Sequence, residues 1–218
     1  MVHKVNYKNR EDGVTNPPDL SDTDAGATLD AAFAQRDAFR AASALPRVGV
    51  FGNGVPETLI AAAGALPVHL SMGEAGEKSA IDAVIEPFVD DEVRTFLNRL
   101  MSGAFADCLG IVFARDDAPA LIAYQYATEW VRQGKAGAGV PPLFLWNLVH
   151  TDSPAVRTFN AIQAEKLFDF LAGIGLTRPT PQTIAIAAEV ETGRRAALDR
   201  LSASLSGMDI AGQLGQLS

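Results

Sequence analysis

The chain has 218 residues, 48% of them hydrophobic, and a formal net charge of −8. That is room for one domain with a sizeable core, or one domain with a helical annex. The charge argues against a nucleic-acid partner, which needs a basic face, and no stretch is apolar for the length a membrane span requires. A single cysteine, Cys108, rules out an internal disulfide and any all-cysteine metal or iron–sulfur site built by this chain alone.

Residues 1–24 are polar, with Asn16-Pro17-Pro18-Asp19 near their end, and read as a flexible arm. The opening MVHKVNYKNREDG has no apolar core of a signal peptide, so the cytoplasm is the expected location. Residues 25–44 are rich in Ala, and Leu29, Phe33, Ala34 and Phe39 give a helical stripe that Pro46 stops.

Residues 47–64, RVGVFGNGVPETLIAAAG, organise the rest of the chain. VGVF reads as a buried strand that GNG breaks. Pro56 opens a helix, where its missing N–H has no partner to lose, and Glu57 sits in the first turn, favoured by the helix dipole. Gly64 ends the helix, and LPVHL is the next strand.

A longer connection with some helical tendency leads to residues 90–101, DDEVRTFLNRLM. This is a helix with Val93, Phe96, Leu97 and Leu100 on one face. CLGIVFA is a third buried strand, Arg115-Asp116-Asp117 its loop, and residues 118–133 a helix. PPLFLW is a fourth strand, followed by a polar loop at 147–153 with Asp152 or Ser153 as helix cap. Helices are expected at 154–173 and 180–205, and a frayed tail at 206–218. Residues 25–205 read as a single α/β domain.

Continuously apolar strands alternating with helices belong to a parallel sheet covered on both faces. The expected fold is a flavodoxin/Rossmann-like four-stranded parallel sheet, order 2-1-3-4, with flanking helices and a C-terminal helical extension. Ligands of such sheets bind beyond the carboxyl ends of the strands at the switch point. The loops there are 52–55 and 115–117, with 147–152 beside them.

Candidate chemistry gathers at those loops. Gly52, Asn53 and Gly54 would place backbone amides around an anion at a helix N-terminus, or form a turn that needs glycine. GNGVPE has neither dinucleotide nor Walker spacing. Glu57 is either an acid or base, or a dipole partner on a solvated turn. Asp90, Asp91, Glu92, Asp116, Asp117, Asp152 and His150 have the oxygen and imidazole of a hard-metal site, but their spacing matches no metal motif, and caps and solvated loops account for them better. His69, inside an apolar strand, reads as a satisfied core histidine. Cys108 starts its strand at the end away from the crevice and reads as packing.

At RVGVFGNGVPETLIAAAGALPVHL the sequence resembles the 2-hydroxyacyl-CoA dehydratase family, which includes benzoyl-CoA reductase subunits. Members carry a strand, a Cys-x-x-x-Pro-Glu turn, an Ala-Ala-Gly helix and an apolar Pro-containing strand. FVDDEVRTFLNRLMSG is similar to the family's Cys-x-x-x-Arg helix, and ADCLGIVFARDD to the strand leading into its Cys-Asp turn. PPLFLWNL and the late helix with Arg194 and Arg195 are similar to its next elements. The resemblance covers the chain from about Ala25 onward, about half a typical family subunit, without the second domain.

Family members hold a [4Fe–4S] cluster on three cysteines and pass an electron at a CoA thioester. Matched by position, those cysteines fall on Gly52, Asp90 and Arg115. The resemblance therefore implies the scaffold, the crevice and Glu57 without a cluster bound by this chain alone. Arg115 adds a positive charge suited to a carboxylate or phosphate, with Asp116 and His150 beside it. Expected is an accessory or non-catalytic subunit that pairs with a homologous dehydratase-like chain, or with itself, and completes or binds an acyl-CoA-type site or another anionic small molecule. The alternatives are a cluster-independent enzyme acting through Glu57, Asp90 and Asp116, and an α/β interaction module with a vestigial crevice.

Overall fold

The computed structural model describes residues 43–70 and 78–204. The arm at 1–24, the first Ala-rich helix up to residue 42, residues 71–77 and the tail at 206–218 lie outside the described residues. The chain divides into two compact units. Ala44–Gly193 carries the sheet; the other unit draws on both ends of the chain, and its described part is Ser43 and residues 194–204.

The elements run β1 (Arg47–Phe51), α1 (Glu57–Ala62), β2 (Leu66–His69), a 3₁₀ turn (Ala80–Val84), α2 (Asp91–Met101), β3 (Cys108–Ala114), α3 (Ala118–Arg132), β4 (Leu143–Trp146), α4 (Pro154–Gly173) and α5 (Pro181–Ser204). The four strands form one parallel sheet in the order β2-β1-β3-β4. This is a Rossmann-like α/β fold, and the expected strand order is the observed one. The 3₁₀ turn is new; the sequence shows only helical tendency there.

Each element follows from its residues. After Arg47 in β1 and Leu109 in β3 the two strands are apolar and buried on both faces, because they are the central strands of the sheet. Val93, Phe96, Leu97 and Leu100 of α2 are all buried. They meet the sheet through a run of rings: Phe51 stacks on Phe96 at 3.9 Å between centroids, and Phe113 lies edge-on to Phe96 at 5.7 Å and to Tyr124 of α3 at 5.5 Å. The opposite face carries α4, whose Phe170 packs on Phe144 at 5.1 Å. Gly110 of β3 makes room for it, since a Cβ there would lie 2.8 Å from the Phe170 ring.

Caps fix where helices begin. The Asp117 carboxylate accepts the Ala120 N–H at 3.0 Å, and the Ser153 hydroxyl accepts the Val156 N–H at 3.2 Å. Thr180 caps α5, its hydroxyl accepting the Thr183 N–H at 3.2 Å. Ser153, not Asp152, is the cap of α4; Asp152 forms an ion pair with Arg157. The start of β3 holds Cys108, buried among core residues, as expected for packing. Among the described residues no helix is long and apolar enough to cross a membrane.

Candidate functional site

The carboxyl edge of the sheet opens into a crevice of about 270 Å³, where Val50, Phe51 and Gly52 of β1 and its loop meet Pro119 at the start of α3. Among the described residues, four polar side chains line it: Asn53, His69, Glu92 and Asp117. They come from four segments because every strand and helix start at this edge delivers its loop to the same place.

The loop after β1 is held by the loop after β3. Asp117 accepts the Asn53 backbone N–H at 3.0 Å and its side-chain amide at 3.4 Å, while capping α3. Gly52 has φ +89°, and a Cβ there would lie 2.5 Å from the Ala120 Cβ. Glycine is therefore needed twice over, for its backbone angle and for the close approach of α3. Gly54, at φ +91°, faces the Asp116 carboxylate, whose oxygen would lie 3.4 Å from a Cβ.

Glu57 and His69 form the first of two carboxylate–imidazole pairs. Glu57 Oε1 lies 2.9 Å from His69 Nε2. This corrects the reading of His69 as a core histidine. It is the last residue of an edge strand, its side chain is 52% exposed, and it lines the crevice. Glu57 does not line the crevice itself; it holds the residue that does.

The second pair is Asp116 and His150, with Asp116 Oδ2 2.7 Å from His150 Nε2. It joins the loops after β3 and β4, which also meet where the Arg115 N–H donates to the Trp146 carbonyl at 2.9 Å. Arg115, Asp116 and His150 gather on this flank and are not among the crevice-lining residues. Asp90 precedes α2, exposed and without a capping bond from its side chain.

Sequence reasoning weighs Glu92 only as one acid in a metal set, and misses His69. The signal for His69 was its place at the carboxyl end of β2, level with the Pro-Glu turn. Among the described residues, no three His, Cys, Asp or Glu side chains come together closely enough to hold a metal ion. No protein-family model matches the chain, and no curated protein matches it.

Of the three positions matched to cluster cysteines, Asp90 has a carboxylate that could coordinate a metal, whereas Gly52 and Arg115 offer an iron–sulfur cluster no ligand. Gly52 has no ligand atom, and the space its side chain would take is filled by Ala120. Arg115 brings a cation. Cys108 starts β3, at the opposite end of that strand from the crevice loops, and burial with the neighbouring Asp107 charge pushes its thiol up to about 11.

Proposed function

We propose that this chain is a 2-hydroxyacyl-CoA dehydratase-like protein that works without a cluster of its own. Its crevice receives the acyl part of a thioester, and His69 moves a proton there. The observation that carries this reading is the Glu57–His69 pair at the crevice, 2.9 Å apart. A carboxylate on one ring nitrogen orients the imidazole and stabilises the imidazolium that forms when the ring takes up a proton. An acyl thioester needs that help: its α-carbon proton is acidified by the carbonyl and is taken by a positioned base.

The test is exchange of the α-protons of butyryl-CoA in deuterated water, followed by mass spectrometry. The expected result is exchange with the intact protein that falls by about 100-fold or more in His69→Gln, and by less in Glu57→Gln, which keeps the base but loosens it. Absence of exchange with the intact protein overturns the acid–base reading.

A second reading, an accessory subunit beside a homologous chain, is supported by Phe88. This large apolar side chain is 81% exposed just before α2, whose first turn lines the crevice. Native mass spectrometry of the protein drawn anaerobically from its own cell tests it. A cysteine-bearing dehydratase-like partner supports the subunit reading; a monomer or homodimer overturns it.

A further inference from the structure

We infer that the crevice selects, through Glu92, a ligand group that donates hydrogen bonds, a hydroxyl or an ammonium, and turns away a carboxylate or phosphate. This rests on the reading of the crevice as the site and names the chemistry it accepts.

Among the described residues, the polar side chains that line the crevice are two carboxylates, one imidazole and one amide, with no Lys or Arg. The two carboxylates are not equivalent. Asp117 is committed within the fold: one oxygen accepts the Ala120 N–H and the other both nitrogens of Asn53. Glu92 has no hydrogen-bond or ion-pair partner among the described residues, so it is the acceptor left for a ligand. The backbone N–H of Asn53, a donor that an anion would use, is already taken by Asp117. Two of the positive helix ends at this edge are matched as well, that of α2 by Asp91 and Glu92 in its first turn and that of α3 by the Asp117 cap. Arg115 and His150 are not among the lining residues, and His150 is paired with Asp116. An anionic group entering the crevice meets two like charges and no Lys or Arg among the described lining residues. A hydroxyl or ammonium meets an acceptor. A CoA thioester would then enter acyl group first, with its phosphates outside.

Three probes of one skeleton and different charge test this: 1-amino-2-propanol, lactamide and lactate. Binding is read from the ring C2–H resonance of His69, assigned with His69→Gln. The expected result is that 1-amino-2-propanol and lactamide move this resonance at concentrations about tenfold or more below those lactate requires. In Glu92→Gln, a change on a partly exposed first turn that leaves the fold intact, the preference disappears. Lactate binding as tightly as the amine, or an unchanged preference in Glu92→Gln, overturns this inference while leaving the crevice a site. No shift with any of the three overturns it too, and α-proton exchange of butyryl-CoA then decides the acid–base reading separately.

Discussion

Asp117 and Asn53 lie 64 residues apart in sequence, and a 3.0 Å bond from the Asn53 N–H to the Asp117 carboxylate joins the loops on either side of the switch point. The same carboxylate caps α3. One residue thus sets both where a helix starts and where the crevice wall stands. Asp117→Ala removes a cap, typically ~1 kcal/mol, and hydrogen bonds to a charged acceptor, ~1.5–3 kcal/mol. The expected loss is about 2–4 kcal/mol in urea unfolding. Asp117→Asn, which keeps an acceptor for the cap, should lose less than half as much. Equal losses in the two variants would show that the geometry of the bonds matters little here.

Gly52 and Gly64 separate two costs that usually arrive together. Both have strongly positive φ, +89° and +87°. A Cβ on Gly52 would lie 2.5 Å from Ala120, whereas a Cβ on Gly64 would have nothing within 4 Å. Gly64→Ala should cost only the backbone strain, about 1–2 kcal/mol. Gly52→Ala adds overpacking, a further ~1–3 kcal/mol. The difference, read from paired urea midpoints, measures how tightly α3 is pressed on the β1 loop. Gly52→Cys should behave no better than Gly52→Ala, because the clash is at Cβ.

Most of the fold was legible because it rests on runs and periodicities that neighbouring residues share. β1 was bounded by apolar residues ending in Gly-Asn-Gly, α2 by an apolar face behind an acidic start, and α4 by Pro154. The pairings were not legible. Nothing local marks His69 as exposed, since it sits between Val68 and Leu70, both buried. Its environment is set by β2 being an edge strand and by α1 returning Glu57 to its end. Asn98 illustrates the same limit: it reads as one polar residue of an amphipathic helix, and in the fold it is buried at the centre of a polar network.

That network makes an acid-sensitive joint. Asn98 accepts the Ser79 N–H at 2.7 Å and its hydroxyl at 2.9 Å, and its amide donates to Asp82 Oδ1 at 3.0 Å. Arg94 donates to the same oxygen at 3.0 Å. The Asn98 amide first, and then Arg94, hold the Asp82 carboxyl below its ordinary value of 3.8. A carboxyl depressed in the folded state contributes stability above its unfolded pKa and loses it as pH falls through the folded value. The wild-type protein should therefore lose stability below about pH 4. Asn98→Ala should be less stable at neutral pH, by the ~1–3 kcal/mol of a buried N–H left without a partner, and should show a shallower acid limb. Urea midpoints at neutral and acid pH check both; parallel acid limbs would show that Asp82 plays no part in the acid loss.

Cys108 lies at the opposite end of β3 from the crevice. Its side chain is buried among the core, and burial first, then the Asp107 charge beside it, raises the thiol from 9.0 to about 11. The thiolate is the nucleophile, and each unit of pKa costs tenfold in its population below that pKa. A disulfide reagent near pH 8 should thus modify the folded chain at least ~100-fold more slowly than the chain in guanidinium. The linkage has a definite sign. A thiol raised on folding holds its proton in the folded state, so stability is full below about pH 9 and falls as pH rises toward about 11. Cys108→Ala removes that alkaline loss and leaves a small core deficit at neutral pH. Folded and unfolded chains reacting within tenfold of each other would mean that the start of β3 opens readily, and that the amino edge of the sheet is looser than its packing implies.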